Sequence, residues 1–141
     1  MNALRNIVKP SLAILMGALL AGGCATMGNT EVALSGSQEV PPVTTAASGT
    51  ANITVGADKS VSGTVTTTGI ASVAAHIHDG APGKNGPVII PLTKTSDNTW
   101  VVPAGAKLTD AQYDDYKAGN LYVNVHSAAH KPGEIRGQLK P

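Results

Sequence analysis

The chain has 141 residues, ten Lys and Arg against nine Asp and Glu, and a formal net charge of +1. Its aromatics are Trp100, Tyr113, Tyr116 and Tyr122, with no Phe. Scattered lysines and so few stacking side chains exclude nucleic acid as a partner. The length suits one small domain, and 16 Gly and 9 Pro punctuating Thr-, Val- and Ser-rich runs point to β structure.

Residues 1–23 read as a leader. Arg5 and Lys9 precede an apolar, small-residue run from Ser11 to Gly23. That run is short of the roughly 20 residues of a membrane-spanning helix and has the pattern of a secretory signal. The sole cysteine, Cys24, follows at once. The stretch LLAGGC resembles the lipobox of bacterial lipoproteins, with Leu20 one place further from the cysteine than is usual. The resemblance implies lipidation of Cys24 by several fatty chains of the palmitate kind, enough for a firm membrane anchor where one chain is marginal. Left bare, Cys24 would be an exposed reactive thiol on an exported chain. Ala25, rather than Asp, follows the cysteine, which implies the outer membrane with the domain facing the periplasm. Without Arg5 and Lys9 the mature chain carries eight basic residues against nine acidic ones, a net charge near −1. Residues 24–30 then form a short lipidated tether and 31–141 the domain. One cysteine allows no intrachain disulfide, so packing and backbone hydrogen bonds hold the fold.

Glu31–Gly36 alternates and predicts a first strand with Val32 and Leu34 inward. Gln38–Val43 carries Pro41 and Pro42, which lack ladder donors, so it is an edge or a connection. Ser48–Val55 and Val61–Gly69 are two strands joined by a hairpin loop at Gly56–Ser60. Ala71–His78 is the fourth strand, and Gly80–Pro87 (GAPGKNGP) a loop. Val88–Leu92 and Asn98–Val102 are strands around a turn at Thr95–Asn98. In the segment from Leu108, Thr109 and Gln112 form a capping-box pattern, Lys117 sits in the last turn, and Gly119 stands where a helix ends. That predicts a helix over about Asp110–Ala118. Leu121–Ser127 and Gly133–Leu139 complete about eight strands. The expected fold is all-β, an antiparallel Greek-key β-sandwich or flattened barrel with one short helix.

The four histidines are His76 and His78 in the fourth strand, and His126 and His130 near the C-terminus. Alternation puts Val73, Ala75 and Ile77 on the core face, so His76 and His78 share the opposite one. Leu121, Val123 and Val125 point inward, so Tyr122, Asn124 and His126 point away from the core. His130 lies in the following loop. Strand residues two apart stand about 6–7 Å apart at Cα, a separation that lets both imidazoles reach one ion at about 2.0 Å. Imidazoles from a neighbouring strand would complete a nitrogen-rich set, which suits copper first and zinc second. Asp79 is a candidate ligand, or a group that orients a histidine through its second ring nitrogen. Arg136 is a candidate partner of Asp79 or Glu134 at the margin of the site. The bland alternatives are surface histidines that bond to turn backbone, and a surface ion pair for Arg136. A site shared between two chains would make the protein a homodimer.

Three motifs occur in order: LSGSQEVPPV at 34–43, AAHIHDGAPGKNGPV at 74–88 and LYVNVHSAAHKPGEIRGQL at 121–139. Together they resemble the CHRD domain, a module of chordin and of secreted bacterial proteins, over roughly residues 31–139. The family's histidines correspond to His76, His78 and His126, with His130 in the motif that ends in GEIRGQ. The His-x-His strand is also similar, more loosely, to copper/zinc superoxide dismutase, whose disulfide one cysteine cannot supply. That likeness implies copper binding and, at one remove, superoxide chemistry. The rival expectation is a non-enzymatic envelope adhesion or scaffold module presenting the histidine face to a protein partner. No G-x-S-x-G elbow surrounds Ser127, and GAPGKNG lacks the Lys-Ser or Lys-Thr close of a phosphate-binding loop.

Overall fold

A computed structural model of the chain describes residues 28–141. The segment read as a leader, Cys24 and the first residues of the expected tether lie outside them. The strands are β1 (Gly28–Ser35), β2 (Ser48–Val55), β3 (Val61–Thr68), β4 (Ser72–Asp79), β5 (Val88–Pro91), β6 (Thr93–Ser96), β7 (Thr99–Val101), β8 (Leu121–Ser127) and β9 (Ile135–Gln138). The single α-helix among the described residues, α1, spans Asp110–Lys117.

All pairings are antiparallel, in the order β5-β4-β8-β9-β1-β2-β3-β7-β6. The two outermost strands, β5 and β6, are consecutive in the chain and separated only by Leu92. The sheet therefore curls until its ends meet, and the Leu92 N–H bonds to Ala75 O at 2.9 Å near the seam. A nearly closed, barrel-like sheet results, with few strand edges left open. Its interior holds Leu34, Ile53, Val65, Ile77, Val123 and Ile135, each at most 1% exposed.

β1 begins at Gly28, three residues inside the segment read as a tether, because its backbone continues to pair with β2 from Gly28↔Val55 onward. There are nine strands rather than about eight. The extra one, β6, occupies part of the segment expected to turn at Thr95–Asn98. Its four residues TKTS are all exposed, so no apolar alternation marks it. Val73 is a correction: it is 60% exposed, not in the core row. The β4–β8 register slips between Ser72 and Ala74. Such a bulge adds one residue and inverts the facing of everything before it. Helix α1 starts as expected. The Gln112 N–H donates to Thr109 Oγ1 at 3.2 Å and the Thr109 N–H to Gln112 Oε1 at 2.9 Å. It ends at Gly119, whose φ of 80° is the left-handed conformation that glycine adopts without a Cβ penalty.

The largest departure concerns the second face of β8. All seven of its residues are buried, including Tyr122, Asn124 and His126. Alternation says which side chains share a face, not what covers that face. Here the loop 80–87 and the segment 36–43 fold over it; Asn85 Nδ2 ties the two covers together by donating to Val40 O at 2.8 Å.

Candidate metal centre

β4 and β8 lie side by side, with His76 opposite Asn124, His78 opposite Tyr122, and Ala74 opposite His126. This register brings His76, His78 and His126 together, and one ring nitrogen from each lies within 4.8 Å of the others. Ring centroids are 4.7 Å apart for His76 and His126, 5.5 Å for His76 and His78, and 6.3 Å for His78 and His126. Nitrogens bound tetrahedrally to one ion at about 2.0–2.1 Å are about 3.3 Å apart. The cluster thus needs only small side-chain movement to close on an ion.

Hydrogen bonds to backbone carbonyls decide the tautomers. His78 Nδ1 lies 2.9 Å from Gly86 O, and His126 Nδ1 lies 2.7 Å from Lys131 O. A carbonyl only accepts, so both Nδ1 atoms carry hydrogen and both Nε2 atoms present lone pairs. Outer carbonyls of this kind fix metal-ligating imidazoles in orientation. His76 Nδ1 sits 2.9 Å from His126 Nε2 and donates to it; exchanging the His76 tautomer frees that nitrogen as a third donor. His78 Nε2 is buried and has no hydrogen-bond partner. A buried polar atom without a partner costs about 1–3 kcal/mol, and a cation supplies what it lacks.

The local electrostatics favour the neutral form of His76 and His78, the form that binds metal. Burial, followed by the neighbouring His126 and His78, pushes His76 down to about 4. Burial also lowers His78, and the Gly86 carbonyl and the nearby Asn124 amide partly restore it.

The loop 80–87 is the device that aims His78. Arg136 lies beneath it, 1% exposed, the largest fully buried side chain among the described residues. Its guanidinium donates to Lys84 O at 2.8 Å, and to Ala81 O and Asn85 Oδ1 at 3.3 Å each. Gln138 Nε2 holds Gly80 O at 2.8 Å. Tyr122 lies between: its ring stacks on His78 with centroids 4.7 Å apart and planes 7° apart, and Arg136 Cζ sits 3.4 Å from its centroid. Since β8 runs between β4 and β9, His78 and Arg136 approach that ring from opposite sides. The Gly86 N–H donates to the Tyr122 hydroxyl at 3.1 Å. One glycine therefore meets both His78 and its stacking partner.

Arg136 is thus not a surface ion pair with Asp79 or Glu134. It is a buried clamp on loop carbonyls. Glu134 instead accepts from Thr45 Oγ1 at 2.7 Å. Asp79 faces the other way from His78, as its parity requires. Its carboxyl is raised by burial and by Asp115 of α1, and it orients no histidine. His130 is not part of the cluster; its backbone N–H is held by Ser127 Oγ at 3.2 Å. The expected accessibility is also reduced, since His78 and His126 are buried and His76 is the half-buried member. Sequence reasoning missed Gly86 and Glu39, and gave Tyr122 a face but no role. Asn124 was visible in one respect, as it shares a face with His126 two residues on.

The CHRD domain family's sequence model matches residues 30–139. No curated protein and no solved structure matches the chain.

Proposed function

This chain belongs to the CHRD domain family, and we propose that it acts as an exported, membrane-anchored protein that binds a transition metal, copper ahead of zinc. The observation that carries the metal reading is the bare His78 Nε2, buried without a partner among two further imidazoles. Copper is favoured because three imidazoles with no thiolate suit it, and it binds tightest of the divalent series. Holding the ion ranks above superoxide chemistry, because catalysis also needs a reachable open position, and two of the three rings are buried.

Chelator-stripped protein titrated with Cu(II), followed by calorimetry and electron paramagnetic resonance, is expected to take up one equivalent with nitrogen hyperfine structure. His78→Ala is expected to weaken binding by at least about 100-fold, since its loss reduces three protein donors to two. His130→Ala is expected to change affinity by less than about threefold. No nitrogen-coupled signal at stoichiometric loading, or equal losses in the two variants, would sink the reading.

The anchor rests on the leader and on Cys24. The wild-type chain is expected to fractionate with membranes and Cys24→Ala to be released from them. A Cys24→Ala form that stays with membranes, or a mature N-terminus without lipid by mass spectrometry, contradicts it.

A further inference from the structure

Among the described residues, three of the four buried polar side-chain atoms without a partner are His78 Nε2, Asn124 Oδ1 and Glu39 Oε1. They converge on one locus. Asn124 stands directly opposite His76 on the adjoining strand and shares the face of His126 two residues along. Its other neighbour across the sheet is Arg136. Asn124 Nδ2 donates to Pro132 O at 3.3 Å and lies beside the Glu39 carboxyl, both of them acceptors. These fix which end of the amide is nitrogen, and so leave Oδ1 toward the histidines. The space is shaped for this side chain. A Cβ on Gly133 would come within 2.5 Å of both Asn124 Nδ2 and Glu39 Oε1.

We infer that Asn124 is the fourth member of the donor set, its Oδ1 filling the ion's fourth position so that the centre is three nitrogens and one oxygen. This rests on the metal reading and adds a consequence to it, a preference for one valence. An amide oxygen is a hard donor. It stabilises Cu(II), whereas soft Cu(I) is satisfied by the three imidazoles and gains little from it. Asn124 thereby biases the site toward the oxidised ion and lowers the copper potential. The Glu39 carboxyl, 5% exposed, and Pro132 O act as positioning groups that stop the amide from turning over.

The test measures Cu(II) and Cu(I) affinities separately, the second with a competing Cu(I) chelator under reducing conditions, and the midpoint potential of copper-loaded full-length protein. Asn124→Ala is expected to lose about tenfold in Cu(II) affinity with Cu(I) affinity unchanged. The midpoint potential then rises by about 59 mV, the tenfold ratio for one electron. Its Cu(II) resonance parameters shift as the oxygen is replaced. A merely structural role would weaken both valences alike and leave the potential in place, which overturns the assignment, as does an unchanged Cu(II) affinity. Asn124→Asp keeps the shape and adds charge. It is expected to tighten Cu(II) and lower the potential, and it serves if the alanine form does not fold. A potential that stays or rises in Asn124→Asp also overturns the assignment. The wild-type chain is measured first: no copper there overturns the metal reading itself, whereas copper in the wild type with unaltered variants overturns Asn124 alone.

Discussion

Gly86→Ala is expected to lower stability by at least about 3 kcal/mol and to loosen the proposed metal centre with it. A Cβ at Gly86 would stand 1.6 Å from Asp79 O and 2.6 Å from Asp79 C, both backbone atoms. No rotamer change relieves that, so either the loop 80–87 or the end of β4 must move. Both outcomes pull Gly86 O away from His78 Nδ1, and Gly86 N from the Tyr122 hydroxyl. His78 then keeps its nitrogen but loses its aim, and a metal affinity loss of about 10- to 100-fold accompanies the fall in stability. Gly83→Ala in the same loop is the control. Its φ of 74° disfavours a side chain, but a Cβ there meets nothing within 4 Å. The cost should be the conformational one alone, about 1–2 kcal/mol, with metal affinity kept. Urea unfolding and Cu(II) titration of the two variants check this. A Gly86→Ala form that unfolds with the wild type, or that binds copper as tightly, is incompatible with a loop that aims the ligand.

The same loop shows what could be read from residues alone. Period-two alternation in VNVH and HIH placed three imidazoles on one side, and the register of β4 against β8 then brought them together. Pro41 and Pro42 marked a connection, and Thr109 with Gln112 marked a helix start. These are local rules, written in neighbouring residues. Arg136 was misread because its surroundings are not local. It shares a strand with Gln138, yet its partners Ala81, Lys84 and Asn85 are more than fifty positions away. Backbone carbonyls carry no residue identity that a sequence could advertise. Burial of the histidine face was illegible for the same reason, since a loop of Gly, Pro and Lys has no apolar signature of a cover. Val73 failed through a bulge, which leaves no mark in a run of small residues. Glu39 sat in the reading only as part of a connection, and nothing local distinguishes a carboxyl that turns inward from one in water.

That inward turn adds a contribution that destabilises the metal-free protein as pH rises from 4.5 to about 7. The Glu39 carboxyl is pushed up to about 7 by burial, against the opposing pull of the Arg136 guanidinium and the Asn124 amide. In the unfolded chain it titrates near its ordinary value of 4.5. Below 4.5 both states hold the proton and the group costs nothing. Between 4.5 and 7 the folded protein keeps a proton that the unfolded chain has released, so stability falls with rising pH. Above 7 both are ionised, and the folded state carries the full cost of a poorly solvated carboxylate, about 3 kcal/mol at 1.36 kcal/mol per pKa unit. His76 and His78 act in the opposite sense. Their folded pKa values are lowered, so the stability they supply is present above about 6.5 and is lost as pH falls. The wild-type curve is the sum of both and can look flat. Glu39→Gln separates them, because glutamine keeps the shape and stays neutral. Urea unfolding of the metal-free proteins at pH 4, 6 and 8 is expected to give equal stabilities at pH 4. The variant should lead by about 3 kcal/mol at pH 8. Parallel curves across that range would mean that Glu39 is ionised in the folded protein, and that the carboxyl beside Asn124 is a solvated anion rather than a buried acid.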